Sequence, residues 1–177
     1  MNQNQIKKTI YGMRAILYVA SFLVLAVGIS LYLLSGKTNV YFSWTINPPL
    51  TAAFLGAGYL ASTLLELLSA REKVWAQARP AVPGVWAFTF ITLVVTLVHF
   101  DRFHFGSPVW ITRTGTWVWL LVYITVPVAM GVLWVLQARR PGVDPLRVVP
   151  LPTWMRILLG LQGIIMFIFG VLMLLIP

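Results

Sequence analysis

The sequence predicts an all-α membrane protein with a bundle of five transmembrane helices. Its residues are 59% hydrophobic and only 10% charged, whereas soluble domains carry about 25% charged residues. Five segments also stay apolar over the ~20 residues that a helix needs to cross a hydrocarbon core. The 177 residues are expected to form a single polytopic domain, residues 1–177. Because the chain contains no cysteine, disulfides and thiolate metal sites are excluded.

Each apolar segment defines one span. The five predicted spans cover residues 11–34, 50–70, 84–100, 116–137 and 154–176. The first span is longer than the apolar core of a secretory signal, and no Ala-x-Ala cleavage site follows it. We therefore expect it to be a retained helix. The third span is the shortest, and Trp86 and Phe100 near its ends are typical of residues at the membrane interface.

The basic residues divide unequally between the two sides of this predicted bundle. One side carries ten of them: Lys7, Lys8, Arg14, Arg71, Lys73, Arg79, Arg139, Arg140, Arg147 and Arg156. The other side carries three: Lys37, Arg102 and Arg113. This asymmetry predicts a cytoplasmic N-terminus and an outside C-terminus, and the predicted location is the plasma (inner) membrane of a bacterium. The net charge of +9 is then explained by contact with anionic lipid, and no nucleic-acid partner is expected.

A polar stripe follows one face of the third span. Its members are Thr89, Thr92, Thr96 and His99, whose spacing of three, four and three places them on the same side of a helix. Glu66 is the acid well inside a predicted span, about one turn from the end of the second. If the second and third spans are antiparallel neighbours, Glu66 and Thr89 lie at similar depth. Carboxylate, hydroxyl and imidazole groups arranged in this way are typical of proton and cation relays.

A structural explanation of the same residues is favoured over the relay. Threonine hydroxyls inside helices commonly donate to carbonyls of their own helix. The Glu66 side chain is long enough to reach the interface and pair with Arg71 or Lys73.

The segment after the third span concentrates the ionisable residues His99, Asp101, Arg102 and His104. On a continued helix, Asp101 and His104 form one i, i+3 pair, while His99 and Arg102 form another that points elsewhere. We interpret this segment mainly as a hydrogen-bonded cap that ends the helix. A ligand or cofactor role is the alternative, including an axial haem ligand at His99. A metal site is not predicted, because no third protein ligand is evident in the outer loops.

Small residues mark the predicted sites of close helix contact. They are Ala53, Ala57, Ala61, Gly160, Gly163 and Gly170. Small side chains let helix backbones approach each other inside a bilayer, within one chain or between chains.

No nucleophile elbow, phosphate-binding glycine loop or zinc-protease motif is present, so we do not expect an enzyme. The leading functional prediction is an integral membrane protein that acts through helix packing, as a homo-oligomer or as a small subunit of a larger membrane complex. The first alternative is a proton or ion transporter that uses the path from Glu66 to His99. A weaker alternative is a redox subunit associated with haem or quinone.

Overall fold

A computed structural model describes residues 6–146 and 150–175, with side chains described through residue 172. The helices are α1 Tyr11–Leu33, α2 Thr38–Tyr41, α3 Pro49–Arg71, α4 Trp75–Ala78, α5 Ala81–Val98, α6 Trp110–Ala138 and α7 Thr153–Leu175. Five of them, α1, α3, α5, α6 and α7, are long and apolar enough to span a membrane. The prediction of an all-α protein with five spanning helices is confirmed for the described residues, and the same helices support a multi-pass membrane protein. Arg147, assigned above to the basic side, lies outside the described residues.

The long helices begin and end close to the predicted bounds, with one clear exception. Helix α6 begins at Trp110, six residues before the predicted start at residue 116. The added turns contain Thr112 and end just before Thr116, and both threonines are polar but fully buried. Thr112 donates to the Val40 carbonyl, and Thr116 donates to the Thr112 carbonyl at 2.8 Å. Because both hydroxyls have a partner, the polar residues extend the helix instead of ending it.

The chain forms two compact units, residues 1–144 and residues 145–177. The second unit contains α7 as a single helix with three glycines, Gly160, Gly163 and Gly170. In the first unit, α1 packs along α3 and α5 packs along α6. We call the end of the first unit with residues 6–10, 72–80 and 138–144 the basic end, and the end with residues 34–48 and 99–109 the opposite end.

Two clusters of buried side chains hold the first unit together. The cluster nearer the basic end contains Met13, Leu17, Ala70, Trp75, Ala78, Val82, Val85 and Met130. The cluster nearer the opposite end contains Leu31, Phe42, Ile46, Ala52, Tyr59, Trp119 and Tyr123. Each cluster draws on α1, α3 and α6, so the same helices are fixed to one another at two depths.

The α1–α3 contact is closest at Gly56. A Cβ atom built there would lie 2.7 Å from the Tyr32 backbone nitrogen and 3.0 Å from the Gly28 carbonyl oxygen. Ala53 is half-buried, whereas Ala57 and Ala61 are exposed on another side of α3. Close packing within the first unit therefore depends on Gly56, and a role of Ala57 and Ala61 in contacts between chains stays a prediction.

The chain segment before α1 is fastened across the basic end. Gln137, near the end of α6, is fully buried. Its Oε1 accepts a hydrogen bond from the Ile10 backbone nitrogen at 2.8 Å, and its Nε2 donates to the Lys8 carbonyl at 3.1 Å. The Trp75 backbone nitrogen donates to the Lys7 carbonyl, which ties the same segment to α4. One buried amide thus joins the start of the bundle to the end of its last long helix in this unit.

Replacing Gln137 with leucine is expected to lower the free energy of unfolding by about 1–3 kcal/mol, because a partly buried N–H and a partly buried C=O lose their partners. Thermal unfolding in detergent measures this loss. Gln77→Leu is the matched control, since Gln77 is exposed at the same end and its side chain forms no hydrogen bond with the described residues. Equal stability of the two variants would mean that water replaces the Gln137 amide without cost.

Candidate functional site at Glu66

A cavity of about 280 Å³ lies between α1, α3, α5 and α6. Along α6 it extends from Thr112 to Val126, which is about 21 Å at the helical rise per residue. It is therefore long and runs with the helices, from the opposite end toward the basic end. Glu66 of α3 and Thr89 of α5 both line it. The structure thus brings together the two residues that were expected to lie at similar depth.

Glu66 is buried, since the residue is only 3% exposed. Within the part of the chain that the structure describes, its Oε2 atom has no hydrogen-bond partner. The ion pairs among the described residues join Arg79 to Asp144 and Arg102 to Asp101, so Glu66 pairs with neither Arg71 nor Lys73. An ionised carboxylate in such a place costs several kcal/mol in free energy. Glu66 therefore favours a bound proton or a cation brought in from outside.

Two tyrosines face the same space as Glu66. The hydroxyl groups of Tyr59 and Tyr123 are 3.0 Å apart and form a buried hydrogen bond between α3 and α6. Tyr59 precedes Glu66 by seven residues, which is two helical turns, so both project from one side of α3. Either hydroxyl can be the donor in this pair. The pair offers a polar group to the cavity two turns away from the carboxyl group.

Glu66 also lines a second cavity, of about 330 Å³, between α3 and α5. Both cavities share four wall residues: Tyr59, Glu66, Val85 and Phe88. The rings of Tyr59 and Phe88 meet edge to face with centroids 5.7 Å apart. Glu66 thus lies in a thin wall between two spaces and contributes to both of them.

The remainder of the polar stripe has a different role. Thr96 is buried, donates to the Thr92 carbonyl at 2.7 Å and accepts from the Trp119 indole nitrogen at 3.2 Å. His99 is exposed and caps the end of α5. None of these three residues lines either cavity that contains Glu66. Thr89 also donates to carbonyls of its own helix, as the structural explanation expects.

Toward the opposite end, other residues supply the polar lining. They include Ser30 near the end of α1, Ser43 in the loop after α2 and Thr112 near the start of α6. Between this end and Glu66 the Tyr59–Tyr123 pair is the next polar feature of the cavity wall. The polar groups that accompany the cavity therefore come mainly from α6 and α3, rather than from the stripe on α5.

The cluster at the end of α5 holds two loops together. The helix ends at Val98, so Asp101 and His104 do not share a continued helix. The His104 ring lies 3.0 Å by Nδ1 from the Phe42 carbonyl and 3.2 Å by Nε2 from the Thr45 hydroxyl. Because a carbonyl only accepts, Nδ1 carries the proton and a neutral ring accepts from Thr45 at Nε2. Both ring nitrogens are thus used in joining residues 42–45 to residues 103–105.

Other members of that cluster are solvent-facing. Asp101 and Arg102 form an ion pair at 3.2 Å with both side chains more than two-thirds exposed. Such a pair contributes at most about 1 kcal/mol to stability. Within the part of the chain that the structure describes, no three histidine or acidic side chains are grouped as a metal site requires. A haem ligand at His99 stays an untested alternative.

Four residues that line the cavity or join elements through hydrogen bonds are not predicted from the sequence: Tyr59, Tyr123, Trp119 and Gln137. For Tyr59, its spacing from Glu66 was a usable signal. Tyr123 and Trp119 could be recognised only if it were known that α6 packs beside α3 and α5. The spacing of residues within one helix does not give that information.

Comparison with known proteins adds no relative. The sequence matches no protein-family model, and no curated protein or solved structure shows significant similarity to it. A functional assignment therefore rests on the residues of the cavity itself.

Proposed function

We propose that this chain is a membrane transporter that moves protons by reversible protonation of Glu66. The observation that carries the proposal is the position of this carboxyl group: it is buried, it lines two cavities, and one of its oxygens has no partner among the residues that the structure describes. A group that fills a structural role is normally hydrogen-bonded when buried. An ionisable residue in a membrane span without such a partner is typical of an ion or proton pathway.

The proton path that we propose runs through the long cavity. Ser43 and Thr112 provide hydroxyl groups near the opposite end, and the Tyr59–Tyr123 pair follows toward the middle. Glu66 then receives the proton and, through the shared wall, is able to release it toward the second cavity. Hydroxyl groups can accept one proton while donating another, which suits them to such a relay.

Proton uptake by liposomes tests this proposal. Wild-type protein reconstituted into liposomes that contain a pH-sensitive dye, with a potassium gradient and valinomycin to balance charge, is expected to dissipate an imposed pH gradient faster than protein-free liposomes do. If no uptake occurs, the assay is repeated with a quaternary ammonium ion, which has no exchangeable proton, on one side. Absence of flux in both conditions would contradict the proposal.

A second candidate function is assembly with other membrane chains, as a homo-oligomer or as a subunit. The exposed small residues Ala57 and Ala61 on α3 favour it, because they leave a flat line that another helix can approach. The mass of the protein–detergent complex, measured by light scattering, tests it. An oligomer that dissociates in Ala57→Leu supports this function, and a monomer at all concentrations contradicts the homo-oligomer.

We further propose that the basic end faces the cytoplasm of a bacterial cell, since basic residues are retained on that side. Alkaline phosphatase fused after Gly106 is then expected to be active, and the same fusion after Pro80 inactive. The reverse pattern would show that the protein is inserted in the opposite orientation.

A further inference from the structure

We propose that the long cavity binds a lipophilic organic cation, such as an aromatic ammonium compound, which exchanges with the proton on Glu66. This inference rests on the proposed function and names its cargo. The O–H bond of the Glu66 carboxyl group breaks, the proton passes to water, and the cation pairs with the carboxylate, so the net charge of the occupied site is preserved.

The charge of the cavity selects a cation. Glu66 is the one charged residue among the side chains that line it, and its Oε2 atom has no hydrogen-bond partner within the described chain. The surrounding walls include the aromatic rings of Phe42, Tyr59, Trp119 and Tyr123. Ring faces attract ammonium groups, and they do so more strongly when water is excluded. A cavity that holds one carboxylate and several aromatic rings therefore matches an organic cation in both charge and surface.

The same walls disfavour an inorganic ion. Metal cations such as Ca²⁺ require about six oxygen ligands. The cavity offers the Glu66 carboxylate and a few hydroxyl groups spread over roughly 21 Å of its length. A ligand with a single positive centre and an apolar body needs only one carboxylate. The cavity volume of about 280 Å³ is close to the lower limit for small-molecule sites.

Access to the site is lateral. The exposed residues that line the long cavity include Ala26 of α1 and Val118 of α6. Those that line the second cavity include Gly58 of α3 and Gly84 of α5, where an added Cβ would meet no atom within 4 Å. These exposed positions lie on helices that are apolar enough to span a membrane, so we expect both cavities to be reached from the hydrocarbon region. A lipophilic cation dissolved in the bilayer reaches Glu66 without entering through the loops.

Binding is expected to compete with protons. The Tyr59 and Tyr123 hydroxyls line the cavity two turns of α3 away from Glu66, while α1 and α5 contribute no charged side chain to its lining. Arg14 of α1 donates instead to the Ala70 carbonyl, one turn away from Glu66. Since a proton and an ammonium group need the same carboxylate, lowering the pH weakens binding by up to about tenfold per pH unit.

The test uses benzyltrimethylammonium as the probe and neopentylbenzene, in which carbon replaces the charged nitrogen, as its neutral isostere. Calorimetric titration of the detergent-solubilised full chain is expected to detect binding of the charged probe and none of the isostere. Glu66→Gln is expected to weaken binding roughly 30-fold or more, because a buried charge pair is lost. Glu72→Gln, a change of the same type at the end of α3, is the matched control and is expected to bind as the wild type does.

Liposome flux separates this inference from the proposed function. Proton uptake that requires the ammonium probe, together with binding that depends on Glu66, supports both. Proton uptake without the probe, combined with no binding, overturns the inference and leaves the proton pathway standing. Binding without any proton flux supports the ligand site and overturns the transport function. Equal binding by wild type and Glu66→Gln overturns the inference, because the carboxylate would then not be the recognising group.

Discussion

Replacing Gly56 with alanine is expected to lower the free energy of unfolding by about 1–3 kcal/mol, the usual cost of overpacking a tight contact. The added Cβ would lie 2.7 Å from the backbone nitrogen of Tyr32 and 3.0 Å from the carbonyl oxygen of Gly28. Both are backbone atoms of α1, so they cannot rotate away as a side chain could. The two helices must separate, and the contacts between them weaken along their length.

Gly58→Ala provides the matched control for this change. The two glycines belong to the same helix, but an added Cβ at Gly58 meets nothing within 4 Å. Alanine also favours helix over glycine by up to about 1 kcal/mol, so the control is expected to be neutral or stabilising. Unfolding in mixed detergent micelles measures both variants. If Gly56→Ala is as stable as Gly58→Ala, the α1–α3 contact is looser than the structure indicates.

Replacing Glu66 with glutamine is expected to abolish proton uptake by liposomes while leaving the protein folded. The glutamine amide keeps the size of the side chain, but it cannot take up or release a proton near neutral pH as a carboxyl group can. Because Glu66 has no charged partner among the described residues, no buried charge is left unpaired by the change. The free energy of unfolding is expected to stay equal or to rise.

Proton uptake and the free energy of unfolding, measured together, distinguish a functional carboxyl group from a structural one. Glu72→Gln keeps the number of acidic residues the same as in Glu66→Gln and changes a half-buried side chain outside both cavities. It is expected to retain full flux. Loss of stability in Glu66→Gln, with flux retained, would mean that the carboxyl group holds the helices together and does not carry protons.

The sequence was sufficient to predict the five long helices, because each of them is defined by its own apolar residues. The sequence was less reliable for the ends of the helices, because hydrogen bonds from other elements determine where a helix begins or ends. The predicted span begins at Thr116, but α6 already includes Thr112, whose hydroxyl donates to the Val40 carbonyl. His99 was expected to continue a helix that in fact ends at Val98.

For the site, local spacing identified the acid but not its surroundings. Glu66 was recognised because an acid within an apolar span is costly, and its proximity to Thr89 followed from treating α3 and α5 as antiparallel neighbours. The contribution of α6 could not be derived in this way. Tyr123 and Trp119 reach the cavity and the polar stripe only because α6 packs along α5. Thr96, which shares a helix face with Thr89, instead accepts the Trp119 indole N–H.

The central claim is that Glu66 takes up and releases a proton inside the cavity, and infrared difference spectroscopy tests it most directly. Detergent-solubilised wild type is titrated from acid to alkaline pH while the carbonyl stretch of protonated carboxyl groups is followed. The account predicts a band that disappears as the pH rises, that is absent from Glu66→Gln and that remains in Glu72→Gln. Identical titrations of wild type and Glu66→Gln would contradict it, because Glu66 would then keep one protonation state throughout.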